Sequence, residues 1–168
     1  MATPNEIKSN TNMDKNMPAV ETQMLVRKPV STVFKAFIDP AITTNFWFTK
    51  SSGQLEAGKA VTWTWEMYGV STNVVAKEII PNKAISIEWG NPATNVDFVF
   101  TPLTDDTTYV VIKNYGFKET GDELIQVIKD STGGFTTVLD GLKAYLEHNI
   151  RLNLIGDKFP KEVSHHGQ

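Results

Sequence analysis

The sequence predicts an α+β domain: an antiparallel β-sheet covered by one long C-terminal α-helix, with two short helices after the first strand. Three observations carry this prediction. Segments between Val20 and Tyr115 alternate apolar and polar side chains, the period of a strand with one buried face. The turns between the later strands are short, which requires antiparallel pairing, because a parallel pair needs a crossover. From Phe135 onward the apolar residues Phe135, Val138, Leu139, Leu142, Tyr145 and Leu146 recur at helical spacing.

The elements follow in order. Met1 to Pro18 holds only Ile7 and three Met as sizeable apolar side chains, too few to offset the entropy of ordering, so residues 1–18 are expected to form a disordered tail. Val20–Lys28 reads as the first strand, with Thr22, Met24 and Val26 on one face, and Pro29 stops it. Ser31 suits a helix N-cap, and Val33, Phe34, Phe37 and Ile38 follow at helical spacing. Asp39-Pro40 breaks that helix, and a second short one is expected over Ala41–Trp47.

Ala60–Met67 places Val61, Trp63, Trp65 and Met67 on one face. Gly69 turns the chain into Val70–Ile80, which Pro81-Asn82 ends. Ala84–Trp89 sets Ile85, Ile87 and Trp89 against Ser86 and Glu88, and Gly90-Asn91-Pro92 breaks it. Asn95–Leu103 groups Val96, Phe98 and Phe100, Asp105-Asp106 turns, and Thr107–Tyr115 is the last strand. Asp122–Asp130 is expected as a short helix, separated by Gly133-Gly134 from the long one. A domain over residues 19–160 and a flexible tail over 161–168 complete the division.

Composition narrows the function. Lys and Arg number 16 against 19 Asp and Glu, a net charge of -3, and no basic run exists. Nucleic acid is therefore not an expected partner, since such affinity comes from neutralised phosphates. With no Cys, thiolate metal sites, disulfides and Cys nucleophiles are impossible. No apolar run approaches membrane-spanning length and no signal-peptide pattern opens the chain, so a cytoplasmic location without membrane insertion is expected. Strand edges near Val20 and Ala60 could pair in a dimer, though a monomer is the expected state.

Catalytic signatures are sparse. Gly133-Gly134 lacks the spacing of a phosphate loop. His148 stands beside Glu147 without the second His of a helical zinc motif, and His165 and His166 lie near the C-terminus. Glu66, Glu78, Glu88 and Asp97 fit a solvated outer sheet face better than an acid–base pair. Hence no catalytic residue, metal or cofactor is expected. The unusual feature is aromatic: Phe46, Trp47 and Phe48 in succession, with Trp63, Trp65, Trp89, Phe98 and Phe100 on apolar strand faces and Phe135 opening the long helix. Such a set serves either a packed core or a ligand cavity. Several inward Trp favour a partly hydrated or ligand-filled interior, because a buried indole N–H needs a partner.

Four stretches in this order carry a resemblance: VRKPVSTVFKAFIDPAITTNFWF, LEAGKAVTWTW, NYGFKE and STGGFTTVLDGLKAYLEH. Together they resemble the START-like, or SRPBCC, superfamily, in the branch of activator of heat-shock protein 90 ATPase homologues, as a bacterial single-domain, polyketide cyclase-like member. The resemblance implies a helix-grip fold, in which a curved sheet wraps the long helix and leaves a cavity between them. It places Trp47 at the cavity mouth and Trp63, Trp65, Trp89, Phe98 and Phe100 on the sheet. Phe135 and Leu139 form the helix side, Phe46 and Met67 adjoin, and Asn114 and Tyr115 sit at a strand end where they could orient a ligand. The function so implied is binding of a small hydrophobic molecule, a lipid or a polyketide-like aromatic. A cyclase or dehydratase, or a stress-related module acting on a partner protein, is the alternative.

Overall fold

The structure, a computed structural model, describes residues 17–166. The expected N-terminal tail lies outside the described residues except for Met17 and Pro18. Seven strands form one sheet: β1 (Ala19–Val26), β2 (Lys50–Ser51), β3 (Ala60–Trp65), β4 (Val70–Ile80), β5 (Ala84–Trp89), β6 (Thr94–Thr104) and β7 (Thr107–Tyr115). Their spatial order is β1-β7-β6-β5-β4-β3-β2, with every neighbouring pair antiparallel. Helices α1 (Val30–Ile38) and α2 (Pro40–Thr43) link β1 to β2, and α3 (Gly121–His148) follows β7. The fold is the helix-grip arrangement that the sequence predicts.

Register explains the core. One inner row runs Val20, Asn114, Val96, Ile87, Ala76 across β1, β7, β6, β5 and β4. The next runs Thr22, Ile112, Phe98, Ile85. All of these side chains are buried. Phe135, Val138, Leu139 and Leu142 of α3 complete the same core.

Three local expectations need correction. Helix α1 starts at Val30 behind Pro29, so Ser31 lies inside the first turn and caps nothing. The missing proline N–H and fixed φ suit a helix start. Asp39 makes the cap instead, accepting from the Ala41 N–H at 3.0 Å to begin α2. Strand β3 stops at Trp65, and Glu66–Tyr68 winds into a 3-10 turn that Gly69 closes at φ 61°, so Met67 leaves the sheet. Finally, Gly133-Gly134 does not interrupt α3, a single helix of 28 residues. A helical glycine costs only about 1 kcal/mol against Ala, and the apolar stripe beyond it is fully packed.

A Cβ at Gly134 would meet nothing within 4 Å. Gly134→Ala should therefore stabilise the protein by about 0.5–1 kcal/mol through helix propensity, read as a raised melting temperature. Gly133 is different: a Cβ there would lie 3.0 Å from Lys158 Nζ.

The free side of β1 is held by α3. Lys143 Nζ donates to the Leu25 carbonyl at 2.8 Å, and the Arg27 N–H donates to Glu147 Oε2 at 3.0 Å. Lys143 and Glu147 also pair with each other at 2.7 Å. Burial pushes the Glu147 carboxyl up, but the Arg27 N–H and the Lys143 ammonium outweigh it and hold it below the usual range. A depressed folded pKa gives stability that is present above the unfolded pKa and lost as pH falls through the folded one. Below about pH 4.5 the wild type should lose this contribution progressively. Glu147→Gln should flatten that part of the acid denaturation curve and lower stability at neutral pH.

After α3, Asn149 and Asn153 both take φ 55°, and a short helix α4 (Leu154–Lys158) lies back across the domain. The Tyr68 hydroxyl donates to the Ile155 carbonyl, and Lys158 Nζ donates to Thr137 Oγ1 at 3.1 Å. Lys161–His166, expected as part of a tail, is wound in 3-10 turns with a kink at Val163.

Candidate ligand site

The aromatic residues meet where α2, the sheet and α3 converge. Thr43 anchors the turn that delivers Trp47: its hydroxyl donates to the Ala36 carbonyl at 2.5 Å, and its own carbonyl accepts the Trp47 N–H at 3.0 Å. Trp47 then stands at the centre, 4.9 Å from Trp63, 5.8 Å from Trp89, and 6.0 Å from both Phe98 and Phe135, between ring centroids. Most contacts are edge-on or tilted, as the ring quadrupoles prefer. Phe48 stacks on Trp63 at 4.4 Å and 21°. Trp65 closes one side, 6.3 Å from Trp89, and Trp89 meets Phe135 at 5.7 Å. Trp65 and Trp89 are only half-buried, whereas Trp63 is 1% exposed.

The structure thus brings together six of the residues proposed from sequence: Trp47, Trp63, Trp65, Trp89, Phe98 and Phe135. Leu139 is buried in the same core. Phe100 turns toward α1, 5.5 Å from Phe34 and 5.7 Å from Phe37, and makes no ring contact with any Trp. Phe46 packs on Phe37 at 5.6 Å. Met67 lines a surface hollow of about 80 Å³ with Phe46, Trp47, Gly141 and residues of α4, on one flank of the Trp47 cluster.

Asn114 and Tyr115 lie on opposite faces of the sheet. Strand alternation sends Asn114 inward and Tyr115 to the outer face, where it borders a second hollow with Asp97 and Lys113. The Lys113 ammonium lies 5.5 Å from the Tyr115 ring. Tyr115 therefore lies across the sheet from the aromatic cluster. Asn114 is engaged instead in a hydrogen-bond chain. Ser131 Oγ of α3 donates to Asn114 Oδ1 at 2.8 Å. Asn114 Nδ2 donates to Thr94 Oγ1 at 3.1 Å and to the Asn95 carbonyl at 2.9 Å. The pairing of Thr94 with Trp89 brings this chain to the margin of the cluster.

Two residues escaped the sequence reading. Gly141 is buried, and a Cβ there would stand 3.2 Å from the Phe46 carbonyl oxygen and from Phe46 Cβ. The glycine lets α3 approach the segment that positions Trp47. Ser131 reads as an ordinary helix residue until its partner on β7 is known.

The four strand carboxylates keep to the outside, whereas Glu119 is half-buried with its Oε2 buried and without a hydrogen-bond partner. Glu66, Glu78 and Glu88 are exposed, and Asp97 accepts from Ser86 Oγ at 2.6 Å on the outer face. Among the described residues no three His, Cys, Asp or Glu group as a metal site would. No helix among them is long and apolar enough to cross a membrane.

Comparison with known proteins agrees with this geometry. The family described as "Activator of Hsp90 ATPase homolog 1-like protein" matches residues 27–147. No curated protein sequence matches the chain. Among solved structures, protein SSP2350 from Staphylococcus saprophyticus is 29% identical, with a TM-score of 0.70 over 80% of this chain and 96% of that one. The Aha1 dimer from Colwellia psychrerythraea is 18% identical, with a TM-score of 0.66 over 79% and 98%. The di-domain ARO/CYC BexL is 16% identical, with a TM-score of 0.68 over 78% of this chain and 47% of that one. The last two likenesses concern the fold alone.

Proposed function

The chain belongs to the family of activator of Hsp90 ATPase homolog 1-like proteins, and from that premise we propose that it binds a small hydrophobic molecule of aromatic character between the sheet and α3. The observation that supports this reading is the Trp47-centred cluster, whose flank of half-buried Trp65 and Trp89 reaches the surface. A ligand enters by exchanging ring–ring contacts for ring–ligand contacts of the same geometry. Each Å² of apolar surface it buries contributes about 25 cal/mol.

Trp47 stands on the turn after α2 rather than on a strand, and its ring packs against those of Trp63, Trp89, Phe98 and Phe135. The buried polar residues among those described are Thr22, Thr43, Thr108 and Asn114. None of these side chains is an acid or base at ordinary pH, and one carboxylate oxygen, Glu119 Oε2, is buried without a hydrogen-bond partner.

The test is an amide and indole NMR titration with fatty acids, flavonoids and short polyketides. Saturable shifts centred on Trp47, Trp65, Trp89 and Phe135 are the expected result. A well-dispersed spectrum unmoved by the whole panel overturns the reading.

A further inference from the structure

The chain runs on past the region matched by its family. That match ends at residue 147, and α3 ends at His148. The residues that follow turn back across the domain. Asn149 and Asn153 both hold φ at 55°, a left-handed backbone that Asn tolerates better than most residues. Ile150, Arg151 and Leu152 between them are exposed and lack regular structure, and α4 begins at Leu154. Two such turns in close succession make a jointed arm rather than a continuation of the helix.

The arm bridges the two layers of the domain. On the sheet side, the Tyr68 hydroxyl donates to the Ile155 carbonyl, the Tyr68 ring lies 6.5 Å from that of Phe159, and a Cβ at Gly156 would lie 3.8 Å from Met67 Cε. On the helix side, Lys158 Nζ donates to Thr137 Oγ1 at 3.1 Å. Beneath the arm, Leu154, Ile155 and Gly156 share the hollow of about 80 Å³ with Phe46 and Trp47. Trp47 itself is 6% exposed. The attachment is light. No residue of α4 is fully buried, and Ile155 is only partly buried against the core. Segments held by a few half-exposed contacts open at lower free energy than the core does.

We infer that residues 149–159 form a strap that lifts about Asn149 and Asn153, and that its lifting admits an apolar guest to the Phe46–Trp47 flank of the aromatic cluster. The inference rests on the binding reading above and adds where the guest enters and what must move. No strand pairs with the strap, so the sheet ladder stays intact while it lifts. Closed, the strap shields this flank from water; lifted, it bares it.

The chain has no Cys, so Met67→Cys combined with Gly156→Cys introduces a single pair of thiols. A Cβ at Gly156 would lie 3.9 Å from Met67 Cγ, near enough for a bridge. Oxidation then locks the strap, and dithiothreitol frees it in the same protein. Two readouts follow the strap: hydrogen exchange of the Trp47 indole N–H with no guest present, and stopped-flow uptake of the fluorescent probe N-phenyl-1-naphthylamine. The oxidised form should be slower in both by about tenfold or more, because local opening is blocked, and reduction should restore the faster rates. Tyr68→Phe, which keeps the ring and loses the bond to Ile155, should speed both by about two- to tenfold, the range of one lost hydrogen bond. Equal rates in the oxidised and reduced forms, or Tyr68→Phe rates equal to wild type, overturn the strap while leaving the binding reading standing. If no form takes up the probe, the binding reading falls and the entry of a guest falls with it, whatever the indole exchange shows.

Discussion

Trp63→Ala should lower folding stability by about 3–5 kcal/mol, the range for truncating a fully buried large aromatic. The size follows from the contacts. Trp63 is 1% exposed, stacks on Phe48 at 4.4 Å and lies 4.9 Å from Trp47 and 6.3 Å from Trp89. Removing the indole leaves a cavity that its neighbours cannot fill by rotation, because each is fixed by other rings. A domain of this size has a total stability of about 5–15 kcal/mol, so the variant should unfold at a much lower urea concentration. Near-ultraviolet circular dichroism should lose the signal of the coupled indoles in the same sample. A loss below about 1 kcal/mol would mean that the cluster has room to collapse.

Gly141→Val should be the second large effect, a destabilisation of about 1–3 kcal/mol or more from overpacking. The first added carbon already meets the Phe46 carbonyl oxygen at 3.2 Å, and that atom is backbone. Either α3 lifts away or the turn that carries Trp47 is displaced. Chemical denaturation gives the stability loss, and the Trp47 indole resonance reports the displacement. Gly134→Ala in the same helix should move stability the opposite way. The pair therefore separates glycine as a space requirement from glycine as a tolerated cost. A neutral Gly141→Val would contradict the close approach of helix and turn.

The strands were legible because one-sided burial writes a period of two into the chain. Val70–Ile80, Ala84–Trp89 and Thr107–Tyr115 have the bounds that alternation and turn residues predict. Local rules failed where tertiary contact decides. The Gly133-Gly134 pair looks like a break, yet packing of Phe135, Val138, Leu139 and Leu142 carries the helix through it. Met67 continues the alternation of β3, but Gly69 needs a left-handed turn just beyond and draws the chain into a 3-10 turn. Tyr115 adjoins Asn114 in sequence, but strand geometry sends neighbours to opposite faces.

The candidate site divides in the same way. Its aromatic residues were readable from strand parity as inward-facing, while the contact of Phe100 with Phe34 and Phe37 of α1 was not. Asn114 was readable as an inward polar residue at a strand end, but its partner Ser131 was not, because the two meet only through the placing of α3.

The Lys143–Glu147 clasp on β1 governs how copies of this protein can meet. An uncovered strand edge is a template for another chain, and soluble proteins must block it. Here the Leu25 carbonyl and the Arg27 N–H are already taken by a cation and an anion from α3. At the opposite end, β2 is two residues long, and Thr49 and Ser52 add their own bonds to Thr64 and Thr62 of β3. At Leu25 and Arg27 the border of β1 therefore has no free ladder group, and at the other border β2 offers only two residues. At acid pH, protonating Glu147 unfastens one border, and backbone-templated aggregation should begin there.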